Sequence, residues 1–135
     1  MNLQPLVIKR ILTGVTAFGA LLPWVSVDSV AITGTSQVEG KASLLAGLLG
    51  LFLTFSTPTD PRARTFEAVL AGAALVGAGW FWFDNFGRGH IEGFSPGYGL
   101  VLCGAAALGW SVFLAVDYRR AVGGRRRPRG SRDWR

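Results

Sequence analysis

Four apolar stretches divide the chain, and charge gathers in the segments between them and near their ends. The first uncharged run is residues 11–27, seventeen positions preceded by Lys9 and Arg10. The second, residues 42–55, is the shortest, and it reaches a surface through Ser56 and Thr57. The third opens on Asp60, a good helix N-cap, and Pro61, a good first helical residue, which predicts a helix over 61–83. The fourth, residues 93–116, holds 24 consecutive uncharged positions before Asp117, Tyr118, Arg119 and Arg120. Here Ser95-Pro96 repeats the cap-then-proline start. About 20 apolar residues suffice to cross the roughly 30 Å hydrocarbon layer of a bilayer. The predicted spans are about 8–25, 42–57, 64–83 and 96–116. The predicted fold class is all-α, an integral membrane four-helix bundle.

The joints between these runs carry their own signals. Pro23 can close the first helix, and Trp24 beside it suits the headgroup layer. Residues 28–41 alternate in part, with Val27, Val30 and Ile32 against Ser29, Thr33 and Thr35. This predicts a short outer β-hairpin, or an irregular loop, turned at Gly34. Trp80-Phe81-Trp82-Phe83 forms an aromatic collar of the kind found at the membrane–water boundary. The two outer segments share a pattern: Trp24-x3-Asp28 then Val38-Glu39-Gly40, and Trp80-x3-Asp84 then Ile91-Glu92-Gly93. A duplicated hairpin is one reading of this pattern; coincidence of interfacial tryptophans with loop acids is the other. Lys9-Arg10 ahead of a short apolar core also fits a signal peptide, with Ser29 and Ala31 as small residues before a cleavage point. Pro23-Trp24 interrupts that pattern and favours a retained first span.

Composition sharpens the class. Only 16% of the 135 residues are charged, against about 25% in soluble domains, which argues against a soluble helical bundle. Most of the 19 glycines lie in or beside the apolar runs, where they let helix backbones approach closely. Small residues four apart recur as Ala46/Gly50, Ala68/Gly72, Ala73/Gly77 and Ala105/Gly109, and these eight are the candidate helix-packing positions. Cys103 is the single cysteine, so no intramolecular disulfide is available. The net charge of +6 is unevenly placed: with four spans, twelve of the fourteen basic residues fall on the side of the termini. Excess Lys and Arg marks the cytoplasmic side, so both termini are predicted inside. Residues 1–118 make one membrane domain, and 119–135 a basic tail too polar and glycine-rich to fold alone.

Candidate chemistry is sparse. Glu67 lies one turn into the third helix, where an acid is a relay candidate by default. Arg64 nearby and the helix N-terminus also suit an anchoring role. His90 with Asp84 and Glu92 is a weak metal set on a loop, and no metal or cofactor is expected. Gly87-x-Gly89 is followed by no helix, and no nucleophile elbow, phosphate loop or zinc-protease motif occurs. The chain therefore reads as no enzyme. Arg119, Arg120, Arg125, Arg126, Arg127 and Arg129 in the tail have three readings: a topology anchor, a contact with anionic lipid, or a contact with nucleic-acid phosphates.

The run Leu21-Leu22-Pro23-Trp24-Val25-Ser26-Val27, with a polar loop and a glycine-rich second span after it, resembles small four-span proteins of haloarchaea and high-GC bacteria. Among them are the small envelope membrane proteins of haloarchaeal pleomorphic viruses. That resemblance implies a structural component of a membrane or virion envelope, with the C-terminus on the inner side, toward the genome if viral. The expected partners are the lipid bilayer, and itself or another membrane protein. The leading functional reading is a small structural or scaffold multi-pass protein. Its alternative is a non-catalytic accessory subunit of a membrane transporter or enzyme complex.

Overall fold

The computed structural model describes residues 3–56, 60–87 and 94–125, with backbone alone at 3, 94, 124 and 125. Four long helices dominate: α1 (Leu3–Leu21), α2 (Val38–Ser56), α3 (Pro61–Trp82) and α4 (Tyr98–Arg125). α1 packs on α2 and α4, and α3 also packs on α2 and α4. The helices therefore form a four-cornered bundle with α1 diagonal to α3. Three of them, α2, α3 with its continuation to Gly87, and α4, are long and apolar enough to cross a membrane.

The helix ends follow from local chemistry. Asp60 accepts a hydrogen bond from Arg62 N at 2.9 Å, and Pro61 occupies the first turn, where no backbone donor is needed. The far end of α3 widens into a π turn, Phe83–Gly87, in which Asn85 Nδ2 donates to Phe81 O at 2.9 Å. α1 stops at Leu21 because Pro23 follows, and the residue before a proline disfavours the helical region.

A small sheet covers one end of the bundle. β1 (Pro23–Val27) and β2 (Val30–Thr33) form an antiparallel hairpin, and β3 (Phe94–Pro96) adds to the free edge of β1 in the order β2-β1-β3. Pro96 is tolerated because an edge position leaves its missing donor unneeded. The expected hairpin is present, but its turn is at Asp28–Ser29, with Asp28 at φ 50°, and not at Gly34. Gly34 instead starts a 3-10 turn, Gly34–Ser36, wedged beside Trp24 and the Ala20 carbonyl. A Cβ there would overlap the indole.

Trp24 is not among headgroups: it is fully buried, donates from Nε1 to Gly19 O at 3.0 Å, and meets Phe81 edge-on at 5.2 Å between ring centroids. The matching of Trp24 with Trp80 does not carry into the fold, since Trp24 lies in β1 and inside, whereas Trp80 lies in α3 and outside. Phe81 alone of the aromatic collar turns inward; Trp80, Trp82 and Phe83 are exposed. α4 also runs on through Arg125, so the first seven residues assigned to the tail, 119–125, are helical. Residues 126–135 lie outside the described residues.

Side-chain size is distributed inside out. The buried positions of α2 are Gly40, Ser43, Ala46, Gly47, Gly50 and Thr54, while Leu45, Leu48, Phe52 and Phe55 are exposed. On α3 the buried set is Ala63, Glu67, Ala71, Ala74, Ala78 and Phe81, with Phe66, Val69 and Val76 outside. Spacings of three and four put each buried set on one helix face. Gly47 lies against the Ala17 backbone and Gly19 against the Cys103 backbone, which brings α1 close to both neighbours.

Candidate functional site

The inner faces of α1 and α3 look toward each other across the diagonal. On α1 the buried side chains are Lys9, Thr13, Thr16, Ala17 and Ala20, again at helical spacing. Lys9 points inward from this face, and Glu67 points inward from α3. Lys9 Nζ and Glu67 Oε2 approach to 2.6 Å, with side-chain exposures of 8% and 1%. Two long side chains are needed to bridge a diagonal, and alanines at 63 and 71, one turn either side of Glu67, leave them room. Glu67 lies about 9 Å along α3 from Pro61 at a rise of 1.5 Å per residue.

Two weaker contacts stand at the same end. The Arg10 guanidinium lies 4.0 Å from the Phe55 ring centroid, tying α1 to α2. Arg64 Nη1 lies 3.7 Å from Asp117 Oδ2, tying α3 to α4, with both side chains about two-fifths exposed. The expected neighbourhood of Arg64 and Glu67 therefore resolves differently. They lie three apart on one helix, but Glu67 turns in toward Lys9 while Arg64 stays at the rim. The sequence signal for Lys9 is faint, because an ion pair between distant helices leaves no periodicity. Its one trace is a base and an acid, each placed near the same end of an apolar helix.

Threonine hydroxyls at and above the level of the ion pair turn back on their own helices. Thr13 Oγ1 donates to Lys9 O at 2.9 Å, Thr16 to Leu12 O at 2.8 Å, and Thr54 to Leu51 O at 2.7 Å. One layer up from the pair, the Trp110 ring from α4 fills the space over Gly50 of α2, against Thr13 and Ala71. Trp110 Nε1 is buried without an acceptor among the described residues. Such a donor carries a desolvation penalty of about 1–3 kcal/mol.

No family model, curated protein or solved structure matches the chain. Its role must be read from its own geometry.

The packing candidates divide. Ala46 and Gly50 are buried, Gly77 faces Glu39 and Ser43 of α2, and Gly109 faces the Leu12 side chain. Ala68, Ala73 and Ala105 lie on the outside, and Gly72 would meet nothing within 4 Å. Pattern reading passes over Gly19 of α1, which lies against the Cys103 backbone of α4, and Gly47 of α2, which lies against the Ala17 backbone of α1. Arg119 and Arg120 are exposed on the last turns of α4, and Arg125 ends that helix. Arg126, Arg127 and Arg129 lie outside the described residues, as do His90 and Glu92. Among the described residues no three His, Cys, Asp or Glu side chains gather for a metal. What the site offers chemically is one acid and one base held in contact and sealed from solvent, a pair that neutralises itself inside an apolar bundle.

Proposed function

We propose that the chain is a small four-span structural protein of a membrane, with its basic end on the inner side. One observation carries this reading: apart from a few large groups such as Trp24, Phe81, Leu100 and Trp110, the buried positions are mostly alanine, glycine, serine and threonine, while most leucines, valines and phenylalanines of the helices lie outside. In water that arrangement would leave many large apolar groups solvated, against the driving force of folding. In a bilayer it is favourable, because small residues let helices pack and large ones face the acyl chains.

α1 is the fourth span. Its Lys9 would be costly alone in hydrocarbon, by roughly 3 kcal/mol. Pairing with Glu67 removes that charge from the lipid face, where Val7, Ile8 and Ile11 are exposed instead. The start of α1 and the end of α4 stand at the same end of the bundle, together with Arg10, Arg62, Arg64, Arg119 and Arg120. Excess Lys and Arg belong to the inner side. A bundle apolar on its outer faces, with a basic end and a self-neutralised interior, suits a lining or scaffold role. It packs in the plane of the membrane, and its tail reaches anionic lipid or nucleic acid.

Native purification in a mild detergent tests the role. A homogeneous assembly of this chain alone supports the scaffold. Stoichiometric recovery of a larger membrane protein overturns it in favour of an accessory subunit. Deleting residues 126–135 should reduce binding to anionic vesicles or nucleic acid at low salt without releasing the chain from membranes. Unchanged binding to both leaves the tail as a topology anchor.

A further inference from the structure

An open-sided groove of about 620 Å³ runs between α3 and α4 at the basic end, within the roughly 300–1,000 Å³ range of small-ligand sites. Its walls are apolar: Ala68 on α3 faces Leu114 and Ala115 on α4. Three hydroxyl residues also line it. Tyr118 is exposed, while Thr65 Oγ1 donates to Pro61 O and Ser111 Oγ to Ala107 O, both inside their own helices. Thr65 and Ser111 therefore present their methyl and methylene surfaces to the groove.

The rim is charged. Arg64 stands over the groove with Asp117 across it at 3.7 Å. Among the described residues the Arg64 guanidinium makes no hydrogen bond, because 3.7 Å is too long for one. Its donors remain available to a second anion. Arg119 and Arg120 are exposed one turn further along α4. An apolar trench with Arg64 at its mouth, at the end of the bundle where further arginines gather, complements an amphiphile with an anionic head.

We propose that this groove holds one anionic phospholipid, an acyl chain between Ala68 and Ala115 and the phosphate on Arg64. The proposal rests on the membrane reading given above. Arg64 can offer a phosphate two parallel N–H donors, which a carboxylate at the present distance does not use. Basic pockets between spans on the inner side are a recurrent form of headgroup recognition.

Native mass spectrometry of the full chain, titrated with phosphatidylglycerol and with phosphatidylcholine of the same acyl chains, tests it. The expected result is one retained phosphatidylglycerol, favoured over phosphatidylcholine about fivefold, the ratio one basic residue's attraction supports. Arg64→Gln should abolish that preference. Ala115→Phe, and independently Ala68→Phe on the facing wall, should displace the lipid; both positions are exposed, so neither change reaches the core. Equal retention of the two lipids, unchanged retention in both phenylalanine variants, or a second copy of the chain seated in place of lipid would overturn the proposal. Alkaline carbonate extraction of the source membranes separates the two ideas. A chain that stays in the pellet without the lipid preference refutes the groove alone; a chain that is extracted refutes both.

Discussion

Removing either partner of the buried ion pair should destabilise the bundle strongly, and removing both should not. At 2.6 Å and an effective dielectric of about 20, Lys9 and Glu67 attract by about 6 kcal/mol. Desolvating the two ions opposes this by several kcal/mol each, so the intact pair contributes little net stability. Lys9→Met leaves a carboxylate with no countercharge at a site 1% exposed. Glu67→Leu leaves an ammonium in the same position. Each single change should lose about 3–5 kcal/mol, and the double change should return to within about 1 kcal/mol of the parent. Unfolding in mixed micelles, titrated with a denaturing detergent, reads all four corners of the cycle. The coupling should exceed about 3 kcal/mol, beyond what residues without contact show. Additive losses, or single losses below about 1 kcal/mol, would refute the reasoning and put both side chains in contact with water or headgroups.

Other outcomes follow from the packing. Gly50→Ala places a methyl on the Trp110 ring and should lose about 1–3 kcal/mol in the same assay, whereas Gly72→Ala, with nothing within 4 Å, should be neutral or slightly stabilising. Trp24→Phe removes a hydrogen bond to Gly19 O as well as ring volume, while Trp110→Phe removes a buried donor that has no acceptor. Both tryptophans are fully buried, so the volume terms nearly cancel and Trp24→Phe should be the worse by about 1–3 kcal/mol; equal losses would show that Trp110 has an acceptor.

Much of this architecture is legible in the chain itself. Apolar runs bounded by charge mark the helices α2, α3 and α4, and Asp60-Pro61 marks the start of α3 to the residue. Hairpin alternation around Val30 and Ile32 is also readable, but its turn is not. Gly34 resembles a turn because glycine tolerates any backbone region; here glycine is required because Trp24 leaves no room for a side chain. Trp24 itself misleads for a related reason. A tryptophan at the end of an apolar run has the same local signature whether it faces headgroups or folds back over the bundle. The sheet's third strand, three residues including a proline, carries no periodicity at all. The ion pair is the hardest to see, since its members are brought together only by the order of the helices around the bundle. Small-residue spacing, by contrast, marks a face without saying whether that face is inside: Ala46 and Gly50 are buried, while Ala68 and Ala73 look outward.

The central claim is a bundle inserted with its sheet-covered end outside and its basic end inside. Two positions suit as reporters: Ser29 in the exposed hairpin turn, and Gly123 on the last turns of α4, where a side chain would meet nothing within 4 Å. Ser29→Cys and Gly123→Cys, each with Cys103→Ala, are exposed in intact cells to a membrane-impermeant thiol reagent. The account predicts labelling at position 29 in intact cells and at position 123 only after the membrane is opened. Labelling at 123 in intact cells with protection at 29 would reverse the orientation, and labelling at both would contradict membrane insertion itself.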